Sequence, residues 1–155
     1  RALLDSGSHK TIITRACAHR LRLPLQPVAS ELLTLGSSAP IRSCYRTTVS
    51  IFHHGDPPHL TIHALVLDSI IPPTPHQPLS PNCPRKEKLL LADFRFHAPG
   101  PIDFLIGNDV LPHLLLPGRI SPTLHSPAAF NTTLGWVLYG PYNPTSRVKR
   151  VRFAI

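Results

Sequence analysis

The chain has 155 residues, enough for one domain with a real core and too few for two comfortable ones. Only 15% of residues are charged and 19 are proline, which disfavours long helices and points to short strands joined by Pro-rich loops. The net charge of +8 is spread along the chain apart from one cluster, Arg147, Lys149, Arg150 and Arg152, and no apolar run approaches membrane-spanning length.

Leu3-Leu4-Asp5-Ser6-Gly7-Ser8 opens the order of elements. Two leucines lead a carboxylate into a turn of small residues, and Thr11-Ile12-Ile13-Thr14 returns as a β-branched run. The pattern predicts strand, turn, strand with Asp5 at the bend. Gly7 offers the turn a backbone closed to other residues, and Ser6 and Ser8 place hydroxyls where they can donate to the carboxylate. By itself the tripeptide also fits an ordinary surface turn. Ala16 to Leu23 reads as a short helix stopped by Pro24 and Pro27.

Leu32 to Leu35, a tip at Gly36-Ser37-Ser38, and a β-rich run from Ile41 to Phe52 predict a hairpin. Its unanchored polar tip has the character of a flap. Leu60, Ile62, Ala64 and Val66 share one parity, so Leu60 to Leu67 reads as a strand buried on at least one face. Residues 72–101 are loop-rich, and within them only Lys86 to Phe94 has the apolar density to dock as a turn or short strand. Ile102 to Ile106 is a β run ending in Gly107. Asn108 or Asp109 is then placed to cap a short helix over Val110 to Leu116. After a loop from Pro117 to Ala129, Asn131 to Tyr139 reads as one more strand, ended by Gly140-Pro141.

Cys17, Cys44 and Cys83 are odd in number and widely spaced, with no metal-ligand spacing among them and the ten histidines. A reducing, intracellular setting fits them. The basic cluster alternates with Val148, Val151 and Phe153, as an edge strand or tail with one solvated face would. A nucleic-acid contact there is the sharper alternative.

Asp-Ser-Gly-Ser after an apolar strand, a Gly-tipped hairpin, and Phe104-Leu105-Ile106-Gly107 before a short helix stand in the order found in retropepsins. The chain most resembles the aspartic peptidase of BEL/Pao-type LTR retrotransposon polyproteins. The likeness lies at residues 1–8, at Ala64-Leu65-Val66-Leu67, at Leu91-Ala92-Asp93, at residues 99–110 and at residues 134–141. It departs at His9 and Phe94 and lacks the strand that usually precedes Arg1, as an excised piece of a longer chain would. The resemblance implies a mostly β, single-lobed acid-protease fold over residues 1–141. Expected within it are a truncated N-terminal strand, a flap hairpin, a short helix after the Leu-Ile-Gly strand and a Pro-rich insertion at about 72–101. Residues 142–155 would be a basic tail or linker.

The resemblance also implies that Asp5 is catalytic, with Ser6, Gly7 and Ser8 as its loop. Gly36, Ser37 and Ser38 would form the flap, and Leu105, Ile106 and Gly107 the apolar segment behind the active-site loop. No second Asp-Ser/Thr-Gly occurs, so two chains would each supply one aspartate. The activity so implied is a homodimeric endopeptidase that processes a parent polyprotein in the cytoplasm. It would need no metal or cofactor and no membrane, and would meet nucleic acid only through the polyprotein or the basic tail. The alternative is an inactive or host-captured module of the same fold that binds extended peptides or serves as a scaffold.

Overall fold

The computed structural model describes residues 1–33, 39–51, 60–79, 89–122 and 127–140. These residues are mostly β, in two sheets. Strand β1 (Ala2–Leu4) leads into the Asp5 turn and β2 (Ile12–Thr14) leaves it. Helix α1 (Arg15–Arg20) starts where the Thr14 hydroxyl accepts the Cys17 amide at 3.2 Å. It ends before the expected prolines. Arg22 takes a left-handed backbone (φ 54°), the Leu23 amide reaches the Ala18 carbonyl and the Arg22 amide that of His19, each at 2.9 Å. This paired closure satisfies the last carbonyls of the helix. Pro24 therefore follows a stop already made.

Strands β3 (Gln26–Leu32) and β4 (Ile41–Ile51) pair antiparallel, with a bulge between Pro27 and Ser30. Residues 34–38, which hold the expected flap tip Gly36-Ser37-Ser38, lie outside the described residues. Strand β5 (Leu60–Leu67) has the predicted bounds, and Ile62, Ala64 and Val66 are buried as its parity requires.

Strand β6 (Phe104–Ile106) sits at a decisive place in the larger sheet, whose order is β1-β6-β2-β5-β4-β3. It runs parallel to β1 and antiparallel to β2, so it fills the gap between the two strands that flank Asp5. Two apolar clusters meet here. Ile13, Ala18, Ala64 and Val66 form one, Ile62, Ile106, Val110 and Leu114 the other, and Phe104 packs against both.

Helix α2 (Leu111–Leu114) then gives way to β7 (Leu115–Ile120), β8 (Ala128–Thr132) and β9 (Gly135–Tyr139), which form the second sheet in that order. The expected single strand over Asn131 to Tyr139 is thus a hairpin turning at Thr133-Leu134, the expected loop before it holds most of β7 and the start of β8, and Leu115 and Leu116 of the expected helix belong to β7. The Thr132 hydroxyl drives the turn, donating to the Gly135 carbonyl at 2.6 Å and accepting the Leu134 amide at 3.1 Å. Gly135 has φ +109°, and a Cβ there would meet the Leu90 carbonyl at 2.9 Å.

The described parts of residues 72–101 are irregular, as expected, but tied down. Leu90 to Ala92 lies along β9, with the Ala92 amide on the Trp136 carbonyl and the Trp136 amide on the Leu90 carbonyl. Arg1 holds the rest. Its guanidinium donates to the carbonyls of Thr74, Ala98 and Arg95 and pairs with Asp93 at 2.6 Å.

Candidate active site

The Asp5 turn is fixed mainly through its backbone. The Asp5 amide donates to the Ile106 carbonyl at 2.9 Å, extending the β1–β6 ladder by one residue. The Ser8 amide closes the turn on the Asp5 carbonyl at 3.3 Å, and the Asn108 amide binds the Ser8 carbonyl at 2.8 Å. Both limbs of the loop are therefore attached to the segment Leu105-Ile106-Gly107-Asn108. Gly107 is required there by space. A Cβ would stand 2.5 Å from the Lys10 carbonyl oxygen and 2.6 Å from its carbon.

Behind the loop lies a contact between distant parts of the sequence. Buried Thr11 donates its amide to Asp109 Oδ2 at 3.1 Å and its hydroxyl to Asp109 Oδ1 at 2.7 Å. The same hydroxyl accepts the Gly107 amide at 3.1 Å. Asp109 was expected, with Asn108, as a candidate cap for the following helix. Instead Val110 occupies the cap position without a side-chain cap bond, and the Asp109 carboxylate is turned back onto Thr11. An ionised carboxylate gains more from these two converging donors than from a four-residue helix with few amides to cap.

Asp5 itself is partly exposed, and its Oδ1 accepts the Gly7 amide at 2.9 Å. The expected serine donors are not arranged as the sequence suggests. The Ser8 hydroxyl spans its own turn instead, donating to the Lys10 carbonyl at 2.8 Å. Gly7 is likewise not among the left-handed glycines of the described residues, which are Gly118, Gly135 and Gly140. What it provides is room, since a Cβ would come within 3.2 Å of Asp5 Oδ1.

Electrostatics separates Asp5 from the other described acids. Asp68 pairs with Arg15, Asp93 with Arg1, Asp103 with Arg20 and Glu31 with Arg42, while Asp109 is held by Thr11. The Asp68 hydrogen bond also raises the pKa of Arg15 against a smaller effect of burial. Asp5 alone among the described acids has neither a cation nor a side-chain donor. Two hollows, of about 280 and 230 Å³, are lined by other residues, the larger by Ile13, Val49, Phe104 and Leu134 among others. Asp5 lies on neither.

Among the described residues no group of three or more His, Cys, Asp or Glu is placed to hold a metal ion, and no helix is long and apolar enough to cross a membrane. Cys17 is buried and Cys44 exposed, both as free thiols. The segment Leu105-Ile106-Gly107 is brought against the loop Asp5-Ser6-Gly7-Ser8. The Thr11–Asp109 contact and the Arg1 clamp are the neighbours of this region that the sequence did not announce. No protein-family model, curated protein or solved structure matches this chain.

Proposed function

We propose that the chain is a retropepsin-like aspartic endopeptidase, active as a homodimer in which each copy supplies one Asp5. The observation that carries this reading is the partly exposed carboxylate of Asp5, without a cation among the described residues, on a loop fixed at both limbs. A solvated surface aspartate in a protein of net charge +8 has cations to choose from. One held away from the cations of the described residues, at a glycine-spaced bend, suits a reaction in which charge on the carboxylate must change.

Two carboxylates brought to about 3 Å across a two-fold axis cannot both ionise and so share one proton. The ionised member takes a proton from a water held between them as that water attacks the scissile carbonyl carbon. The protonated member hydrogen-bonds the carbonyl oxygen, and the proton gained from water goes to the leaving amine as the C–N bond breaks. An extended peptide bound by backbone hydrogen bonds presents its carbonyl to the pair. Substrates on this reading are peptide bonds of a parent polyprotein with apolar flanks.

The test is digestion of a mixed peptide library by wild type and by Asp5→Asn, read by mass spectrometry. Cleavage by wild type and none by the variant supports the mechanism. Equal cleavage by both rejects it. Peptide binding by both with cleavage by neither assigns the chain to the non-catalytic module.

A further inference from the structure

The three-stranded sheet carries a row of side chains that the Asp5 site does not use. Arg119 on β7 stands opposite Phe130 on β8, and Ala128 on β8 stands opposite Tyr139 on β9. Residues two apart on a strand share a face, so Arg119, Phe130 and Tyr139 lie on the same side of the sheet. The Arg119 guanidinium sits over the Phe130 ring, 5.9 Å from its centre. Phe130 meets Tyr139 edge-on, with ring centres 5.8 Å apart and planes at 88°. This row is open to solvent at both ends, with Arg119 exposed and Tyr139 half exposed.

Charge is unevenly divided along the chain. Residues 110–155 contain Arg119, Arg147, Lys149, Arg150 and Arg152 and no Asp or Glu, so most of the net charge of +8 belongs to the part of the chain that forms this sheet and follows it. A half-exposed Tyr139 ring and an exposed Arg119, in a stretch of sequence without Asp or Glu, match single-stranded nucleic acid. Its bases offer faces for stacking and its phosphates a regular negative charge. A duplex hides those faces, and an acidic peptide would use the charge but not the rings.

We propose that this face binds single-stranded nucleic acid, with a base stacking on Tyr139 and Arg119, seated over Phe130, meeting the backbone. This proposal does not depend on the reading of Asp5. The test uses the full chain and a fluorescent 20-residue oligouridylate, with binding followed by anisotropy over a salt series. Tyr139→Ala removes a half-exposed ring and is expected to weaken binding about tenfold, whereas Tyr139→Phe keeps the stack and binds as wild type. Arg119→Gln is expected to lower the slope of log affinity against log salt by about 0.7. A duplex of equal length, polyglutamate and anionic vesicles are the competing ligands, and each is expected to bind without regard to Tyr139. Oligouridylate binding that is absent, or unchanged in both Tyr139→Ala and Arg119→Gln, overturns the proposal. Equal dependence on Tyr139 for any competing ligand overturns it too.

Discussion

Replacing Thr11 with Val tests the contact that locks the Asp5 loop to the segment behind it. Thr11 is 1% exposed, and valine matches its volume while removing the hydroxyl. Two bonds disappear, the 2.7 Å bond to the Asp109 carboxylate and the 3.1 Å bond from the Gly107 amide. A bond to a charged acceptor contributes about 1.5–3 kcal/mol, and a buried amide left without an acceptor costs about 1–3 kcal/mol. The amide bond from residue 11 to Asp109 Oδ2 survives, so the expected loss is about 3–5 kcal/mol, a large part of the stability of an ordinary domain. Urea unfolding followed by circular dichroism reads this as a lower midpoint at unchanged slope. Thr11→Ser is the control, since it keeps the hydroxyl and gives up one buried methyl, for about 1 kcal/mol. Thr11→Val as stable as Thr11→Ser would refute the reasoning.

Three further outcomes follow from the same geometry. Gly107→Ala sets a Cβ 2.5 Å from the backbone of Lys10 and is expected to cost more than about 2 kcal/mol, whereas Gly7→Ala meets only a side-chain oxygen at 3.2 Å and stays folded; thermal melts of the two variants check the order. Arg1→Lys loses the planar fork that reaches three carbonyls and Asp93, so amide exchange at Thr74 and Gly100, which bond to each other, should quicken while Ile13 in the core is unchanged. Ser8→Ala removes the bond to the Lys10 carbonyl and is expected to cost about 1 kcal/mol by urea unfolding. It should leave the acid limb of a peptidase pH profile where it was, because the hydroxyl does not touch Asp5.

Local patterns were legible in the sequence, and contacts across it were not. Strand β5 follows from a period of two, and the strand–turn–strand at Asp5 from a leucine pair and a β-branched run on either side of small residues. The hairpin turning at Thr133-Leu134 was missed because its tip has no Gly or Asn, and the side chain that stabilises the turn, Thr132, belongs to the strand before it. Composition marks the end of α1 only by its prolines, because a left-handed Arg22 carries no such cue. The sequence offers Asp109 only as a possible cap because its partner Thr11 lies 98 residues away, and only the insertion of β6 between β1 and β2 brings them together. Likewise, nothing in the sequence pairs Arg1 with the carbonyls of Thr74 and Ala98. The mostly β class is readable from proline content and strand periods, while the setting of Asp5 apart from the cations of the described residues requires the arrangement of the charges around it.

If two copies of Asp5 make one reaction centre, as proposed, mixing active and inactive chains exposes it. Wild type held at fixed concentration is titrated with Asp5→Asn, and cleavage of a library-derived peptide is followed. A shared pair makes mixed dimers inactive, so activity is expected to fall as the variant comes into excess, and activity per chain to fall on dilution below the dimer dissociation constant. Wild-type activity unchanged by excess variant, together with activity per chain independent of concentration, would contradict the account.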